Sequence, residues 1–564
     1  MKVYAPLKLI PWCAFFAVAT CFGQIPSAGS LQQNIDNTLH QSPLPNKDRA
    51  DTIIEPKGQA LVGISFRLRK IVYAGNTLLS NPQIELLLAP YLNKSIDFGQ
   101  LQALANSIEE AYRTSGAIAR VVIPEQIIID DTLRVQIEES RWGSVRLLGI
   151  STRVGSQQIS QAINASQISG QLVNLKTLER AVLLADDLPG IKVDAIYSQS
   201  PVALRTDVIA TLADEPLYSG SLQADNSGPS SIGANRVVGN LGVNSPLGIG
   251  DLISVVYLRS DGSDYARLSY TLPIGDDGLR MGVNASTMSY KLVAVQFAGL
   301  GAAGSGSSEG FETLYPVIRS KTNNLYVGFN SDYHVFGNSN ALSGSVSRYS
   351  VMDYSAALFL NTFDRFGGTG ASNFSLIVTN GNTNLDGSPN QFSVASYNNA
   401  QGGFTKTRYI ANRTHYLDHD GLSIYTGLSG QASGANLDPS EMFYLGGLNG
   451  VRAYPTNEGA GSQGQLLNLE LRKALTQNTN LALFYDYGHV QVNPNNAYAV
   501  KGDLNSYDQK GVGLSVGMQL LAGVDIKTTW AKRVGTDSNL SSTGTYQNGS
   551  TGSTQLWLTA IVGF

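Results

Sequence analysis

Cysteine is nearly absent from this chain of 564 residues, and its two copies, Cys13 and Cys21, lie close to the N-terminus. Charged residues make up 15% of the chain, against roughly 25% in an average soluble domain. The formal net charge of −4 gives no excess of the basic residues that nucleic-acid binding requires. Beyond the first 30 residues there is no apolar run as long as a membrane-spanning helix. These absences exclude disulfides and thiolate metal sites after the N-terminal segment, and they indicate that no nucleic acid is bound.

The first 23 residues have the pattern of a secretory signal peptide. Lys2 and Lys8 precede the apolar stretch 9–19, and small residues follow up to Gly23. We expect cleavage just before Gln24 and export of the mature chain. Both cysteines would be removed with this segment, so the mature chain would carry no thiol.

Residues 24–60 are polar, with scattered prolines. Leu31, Ile35 and Leu39 form one narrow apolar stripe on a helix predicted over residues 30–41. A lone helix of this length is marginal in water, so the stripe predicts that the helix docks against another part of the protein. A disordered tail is the alternative.

Residues 61–140 and 141–216 contain two similar units that mix helix and strand patterns. Each unit predicts the order strand, helix, helix, strand, strand, so each is expected to form a small α+β domain. The strands predicted over 118–123 and 193–197 are candidate open edges, which could accept an extended peptide by strand addition.

Residues 217–564 are rich in glycine, serine, asparagine and tyrosine, and apolar and polar residues alternate along them. Leucines, for example, alternate with Asn468, Glu470 and Arg472. This alternation predicts an all-β transmembrane barrel of about 16 antiparallel strands, with a lipid-facing apolar side and a wet lumen. A secreted β-sandwich or β-helix is the alternative. The strands are predicted over residues 217–226, 234–245, 250–260, 264–274, 278–290, 311–320, 323–335, 349–363, 372–382, 402–415, 420–432, 464–475, 479–490, 508–520, 523–533 and 554–564.

The connections between these predicted strands alternate between long and short. Long loops on one side and tight turns on the other are typical of outer-membrane barrels, whose long loops are extracellular. The long connections are predicted over 291–310, 336–348, 383–401, 433–463, 491–507 and 534–553.

Asp486 falls on the polar, lumen-facing side of its predicted strand, opposite the aliphatic side. The connection 433–463 can fold from the surface into the pore, because an arm of about 15 residues reaches up to ~50 Å. Arginine holds a carboxylate through two parallel hydrogen bonds. We therefore expect a latch between Arg452 in the loop and Asp486 in the wall. The alternative is two separate, solvated charges.

Two motifs carry a resemblance to a known family. The loop has GGLNGVRAYP over 446–455, and the following strand has FYDYG over 484–488. With two αβ units before a barrel, these resemble the V-R-G-Y/F loop and F-x-D-x-G strand of two-partner secretion transporters, the TpsB branch of the BamA/TpsB superfamily. Ala453 replaces the glycine of that pattern, which would strain the backbone if its φ were positive.

The resemblance is to transporters of the haemolysin/filamentous-haemagglutinin secretion-activation type. It implies periplasmic POTRA domains below a barrel in the bacterial outer membrane, in contact with its lipid. It implies a pore that recognises one large unfolded exoprotein and translocates it to the cell surface. We expect a monomeric channel and an adhesin or cytolysin as the exoprotein; a haem- or iron-acquisition protein is also compatible with the sequence. The resemblance further implies that the helix bearing Leu31, Ile35 and Leu39 plugs the pore, with 42–60 as tether. The site residues carried over from the motifs are Val451, Arg452, Tyr454, Phe484, Asp486 and Gly488.

Sequence matches to enzyme motifs fall in segments whose predicted structure does not suit the motif. We therefore expect a transporter with no catalytic residue, no cofactor and no metal site. The chain has no G-x-x-x-x-G-K-[ST] sequence, which predicts transport without nucleotide hydrolysis. A G-x-G-x-x-G match over 299–304 and G-x-S-x-G matches over 306–310 and 513–517 fall in predicted loops or a barrel strand. An outer-membrane protein assembly and insertion factor and a diffusion porin are the alternative functions.

Removal of residues 24–41 should raise the basal conductance of the channel, because the predicted helix would no longer fill part of a wide lumen. Planar-bilayer recordings of the complete and the shortened protein measure this effect. An unaltered conductance trace would argue against a plug helix.

Overall fold

A short helix, α1 (Ala28–Leu39), precedes two small α+β domains and a closed β-barrel in the computed structural model. None of the helices in the described part of the chain is long and apolar enough to cross a membrane. The predicted signal peptide and most of the predicted linker lie outside the described residues. The structure describes residues 26–39, 65–168, 170–388, 399–417, 420–498, 504–520, 523–535, 540, 545–546 and 548–564.

The first α+β domain packs two helices on a three-stranded sheet. Asp97 caps the N-terminus of the longer helix, where its carboxylate accepts a hydrogen bond from the Gln100 backbone amide (2.8 Å), and Gly116 caps the C-terminus with φ 89°. The apolar face of this helix, including Leu104 and Ile108, is fully buried against the sheet. The elements are β1 (Phe66–Leu68), β2 (Lys70–Ala74), α2 (Asn81–Leu88), β3 (Lys94–Ile96), α3 (Phe98–Ser115), β4 (Ala119–Val122) and β5 (Thr132–Glu139).

The second α+β domain repeats this topology. Its elements are β6 (Arg141–Leu148), α4 (Ser156–Ala165), α5 (Leu175–Asp186), β7 (Ile191–Gln199) and β8 (Arg205–Asp214). The sheet orders are β2-β5-β4 in the first domain and β6-β8-β7 in the second. In the first domain β2 runs parallel to β5, and β4 runs antiparallel to β5. In the second domain β6 and β7 have the same two relations to β8. The two predicted edge segments therefore correspond to β4 and β7, each an outer strand of its sheet.

The barrel closes through sixteen strands in the described part of the chain, which confirms the predicted architecture. Each strand pairs antiparallel with the next, and β26 pairs with β9 to close the cylinder. A short helix, α6 (Val295–Ala298), and two short paired strands, β20 (Phe443–Tyr444) and β21 (Ala460–Gly461), lie in connections. The barrel strands are β9 (Tyr218–Asp225), β10 (Arg236–Asn244), β11 (Leu252–Ser260), β12 (Ser263–Ile274), β13 (Leu279–Lys291), β14 (Ala302–Arg319), β15 (Asn323–Asn340), β16 (Ser345–Asp364), β17 (Gly370–Asn384), β18 (Gly402–Tyr416), β19 (Leu422–Ser433), β22 (Gln463–Thr476), β23 (Thr479–Gln491), β24 (Ser506–Gln519), β25 (Val524–Arg533) and β26 (Thr554–Gly563).

Side chains alternate between the outer face of the barrel and its lumen. On β26, Leu556 and Leu558 are 51% and 47% exposed on the outside, whereas Trp557 between them is 4% exposed and points inward. On β23, Leu483 is exposed outside and Asp486 is buried inside. The outer face is thus suited to lipid and the inner face to polar contacts.

Two predicted connections are much shorter in the structure. The prediction of loops over 291–310 and 336–348 is wrong, because β14 begins at Ala302, β15 ends at Asn340 and β16 begins at Ser345. The stretch AAGSGSSEG at the start of β14 has no apolar alternation, so periodicity does not reveal it. Its backbone nevertheless continues the ladder with β13 and β15, since ladder hydrogen bonds do not depend on side-chain polarity.

The second α+β domain is docked on the periplasmic turns of the barrel. Arg319 at the end of β14 donates two hydrogen bonds to the Asp187 carboxylate, of 2.6 and 2.8 Å. Arg180 of α5 pairs with Asp277 and donates to the Pro316 carbonyl (2.8 Å). In a third turn, the Ser245 hydroxyl donates to the Arg153 carbonyl at 2.9 Å. Contacts with three turns hold the domain in one orientation.

Asp187→Ala should loosen this docking, because it leaves the nearly buried Arg319 guanidinium without its carboxylate, at a cost of about 1–3 kcal/mol. Hydrogen exchange of the full-length protein should speed up in α5 and in the turn 319–322, while the barrel ladder stays protected. Asp194→Ala, which removes an exposed pair with Lys192, is the matched control. Equal exchange in α5 for both variants would contradict the docking role of Asp187.

Candidate functional site

The connection between β19 and β22 folds into the barrel. Leu445, Val451 and Ala453 in this loop are completely buried, and Tyr454 is nearly so. The turn is tight: the Val451 amide donates to the Leu445 carbonyl at 2.7 Å. A Cβ at Gly450 would lie 1.8 Å from that same carbonyl oxygen, so glycine is required there.

Arg452 at the tip of this turn reaches the carboxylate of Asp486 on β23. Its Nε and Nη2 atoms donate to the two carboxylate oxygens at 3.0 and 2.7 Å, and its backbone amide donates at 3.0 Å. The Arg452 side chain is 6% exposed and that of Asp486 is 0% exposed. The Arg452 guanidinium also lies 3.5 Å from the ring centroid of Phe484. The pair is therefore secluded from solvent.

Four further residues hold the tip, and sequence reasoning did not assign them to the site. Glu470 accepts from Arg452 Nη1 at 2.6 Å, and Asn468 donates to the Asp486 carboxylate at 2.8 Å. Trp557 donates to the Arg452 carbonyl at 2.8 Å, and Arg533 donates to the Ala453 carbonyl at 2.9 Å. The polar alternation of β22 already placed Glu470 and Asn468 in the lumen, but only the register places them opposite Phe484 and Asp486.

The other motif residues pack in the same cluster. Val451 lies over Gly488: a Cβ at position 488 would lie 3.0 Å from the Val451 side chain. The Arg533 guanidinium lies 4.7 Å from the ring centroid of Tyr454. The φ of Ala453 is outside the left-handed region, so alanine causes no strain there. Gly511 on β24 leaves room for the Ala453 methyl, since a Cβ at 511 would lie 2.6 Å from it.

Helix α1 lies inside the barrel, against β13, β14 and β15. Leu31 and Ile35 are buried in a cluster with apolar side chains of the wall. The amide of Ala28 donates to Asn338 at 2.8 Å, and Tyr265 donates to Asp36 at 2.9 Å. The side chain of Leu39, the third residue of the predicted stripe, lies outside the described part.

The helix and the inward loop also touch each other. The side-chain amide of Asn34 donates to the side-chain oxygen of Asn457 in the loop at 3.0 Å. A cavity of about 500 Å³ remains between α1 and the wall of β15–β18. Its lining includes ionisable side chains: Asp36, Asp332, His334, Asp353, Lys406, Arg408 and Glu441. Within the described residues no cluster of His, Cys, Asp and Glu side chains is suited to hold a metal ion.

The fold is thus an outer-membrane barrel that carries two POTRA-like domains and encloses its own loop and helix. Residues 205–520 match the family described as haemolysin secretion/activation protein ShlB/FhaC/HecB, and residues 66–140 match the ShlB-type POTRA domain. The chain belongs to this family. It is therefore a two-partner secretion transporter of the TpsB branch, an outer-membrane pore with periplasmic POTRA domains that translocates a partner exoprotein.

Individual relatives and solved structures are similar to most of the chain. The chain is 23% identical to the heme/hemopexin transporter protein HuxB of Haemophilus influenzae, over 96% of this chain and 95% of that protein. It is 24% identical to the outer membrane transporter CdiB of Dickeya dadantii, over 77% and 75% of the two chains. The structure of CdiB from Escherichia coli covers 96% of this chain and 99% of its own at 19% identity, with a TM-score of 0.66. BamA from Haemophilus ducreyi, lacking POTRA domains 1–3, gives a TM-score of 0.54 at 15% identity, over 88% of this chain and 100% of that one.

Arg452→Ala should reduce secretion of the partner without abolishing insertion into the outer membrane. It removes the guanidinium from a buried carboxylate, which costs about 3–5 kcal/mol when a buried pair loses one member, and so displaces the loop. The secreted partner in the culture supernatant and the heat-modifiable mobility of the barrel are the two measurements. Arg259→Ala, at an exposed pair with Asp264, is the control. Unchanged secretion by the Arg452 variant would remove the latch model.

Proposed function

We propose that the inward loop and helix α1 together form the gate of this secretion pore. The observation that carries the proposal is that both segments fill the lumen and are attached to its wall through side-chain hydrogen bonds and ion pairs. Such contacts can be exchanged for water when the lumen opens, whereas the backbone ladder of the wall stays intact. In this proposal the Arg452–Asp486 pair is the latch of the loop and α1 is the plug.

The partner would be recognised as an unfolded chain by strand addition at an edge of a POTRA sheet. The outer strands β4 and β7 remain the proposed edges. Each has one amide capped by its own domain: Val121 donates to Glu109 and Val193 donates to Asp186, both at 2.8 Å. A partner strand that used the full edge would have to displace that carboxylate.

Transport rather than catalysis is the proposed activity, without nucleotide hydrolysis. Folding of the partner outside the cell would make its passage irreversible. We propose a large exoprotein of the adhesin or cytolysin class and a monomeric channel. The name of the Haemophilus relative, a heme/hemopexin transporter, supports a haem-acquisition protein as the competing proposal for the partner.

An assembly factor for other barrels is the second candidate function. The BamA structure shares the fold at 15% identity, which favours a common architecture and says nothing of a common client. The two functions differ in what is lost when the protein is removed.

A comparison of secreted and surface proteins between wild type and a deletion strain, by mass spectrometry, tests the proposal. We expect one large protein to disappear from the outside and to accumulate or be degraded in the periplasm. Re-expression of the wild-type chain should restore it. A joint fall of many outer-membrane barrels would instead identify an assembly factor.

A further inference from the structure

The inward loop has a second attachment, on a different part of the wall from the Arg452 latch. Glu441, in the arm that follows β19, forms an ion pair with Lys406 on β18. The two side chains are 6% and 8% exposed, so the pair is as secluded as the latch. Ionic pairs in such a setting hold their geometry strongly, because loss of one member leaves a buried charge uncompensated.

Hydrogen bonds from the same wall reinforce this attachment. Gln431 on β19 donates to the carbonyls of Glu441 and Ser462, at 2.9 and 3.1 Å, and so binds both arms of the loop. Arg408 on β18 donates to Gln431 at 2.6 Å and to the carbonyl that follows Glu441 at 3.2 Å. The residues that hold Arg452 include none of those in this attachment: Lys406, Arg408, Gln431, Glu441, Met442 and Ser462. The stem and the tip of the loop are therefore attached independently.

The stem lies directly over the first turn of α1. Ser440, which precedes Glu441, is so close to Gly29 that a Cβ there would lie 2.6 Å from the Ser440 Cβ. The same Cβ would lie 2.7 Å from the Tyr349 hydroxyl on the wall. Gly29 is thus enclosed between the loop and β16, and the helix cannot leave along this side while the stem stays in place.

We propose that Lys406 and Glu441 form a second clamp, which keeps the loop stem over the first turn of α1 and thereby retains the helix in the lumen independently of the Arg452–Asp486 latch. This inference rests on the proposed gate. Lys406 and Glu441 act as positioning residues. Their effect passes through Ser440.

The test uses Glu441→Gln, which removes the charge and keeps the size of the side chain. In planar bilayers the full-length variant should show an open probability about tenfold or more above wild type, since the stem loses the ion pair that attaches it to β18. Asp364→Asn is the control. Asp364, at the end of β16, pairs with Arg413, which lies on the same strand as Lys406 but at the periplasmic end of β18. Heat-modifiable mobility of each variant shows that the barrel has folded.

A crosslink provides the second arm of the test. The sequence has no cysteine after position 21, so Lys406→Cys with Glu441→Cys introduces the two thiols of the predicted mature chain. The reduced double variant should conduct like Glu441→Gln, and a short bifunctional methanethiosulfonate reagent should return it to the closed level. Each single-cysteine variant, treated with the same reagent, is the control. Failure of the crosslink to close the reduced channel would overturn the clamp.

The helix deletion separates failure of the clamp from failure of the gate. In the protein without residues 24–41, Glu441→Gln should add little conductance, because the retained helix is already gone. If the deletion raises conductance and Glu441→Gln matches wild type, the clamp is wrong and the gate stands. If neither change raises conductance, the gate itself is wrong, and the clamp with it.

Discussion

Closure of the barrel is the constraint on which the rest of the structure depends. In a membrane every backbone amide and carbonyl must be paired within the protein, so β26 returns to β9 and leaves no open edge. A cylinder of sixteen strands is too wide for its own wall side chains to fill. The lumen is instead occupied by the loop between β19 and β22 and by α1. In the proposed gate, the contacts that hold these two segments decide whether the pore is sealed or open.

The wall and its contents are stabilised in different ways. The wall is a continuous ladder of backbone hydrogen bonds, with an apolar outer face that only lipid can cover. The loop and α1 bury apolar side chains against the wall, such as Leu31, Ile35 and Val451, and charged and amide groups supply the rest of their attachment. The proposed gate depends on this combination, because the wall would persist while the contents of the lumen are released.

The periplasmic half forms one chain of contacts from the first POTRA domain to the barrel. The Leu175 amide of the second domain donates to the Gly116 carbonyl of the first at 2.8 Å. The second domain is in turn fixed to three barrel turns, most strongly through Arg319 and Asp187. The strand edges proposed to accept the partner are therefore held at a defined position relative to the mouth of the pore.

The sequence by itself determined the architecture: the alternation of apolar and polar residues predicted sixteen strands, and helix and strand periodicities predicted the two repeated domains. Local periodicity carries this information because it records which face of each element meets lipid, water or core. It also placed Asp486 in the lumen and Arg452 on an arm long enough to reach it. It missed the extended ends of β14, β15 and β16, whose polar residues continue the ladder through backbone bonds alone.

Only the tertiary structure decided which residues meet across the lumen. Glu470, Asn468, Trp557 and Arg533 converge on the loop tip, and Lys406 meets Glu441, although no local pattern links them. Strand register and the path of the loop bring these groups together, and both result from packing between segments distant in sequence. The physical reason is that sequence periodicity shows which face of its strand a side chain occupies. Which side chain it contacts across the lumen depends on the closed barrel as a whole.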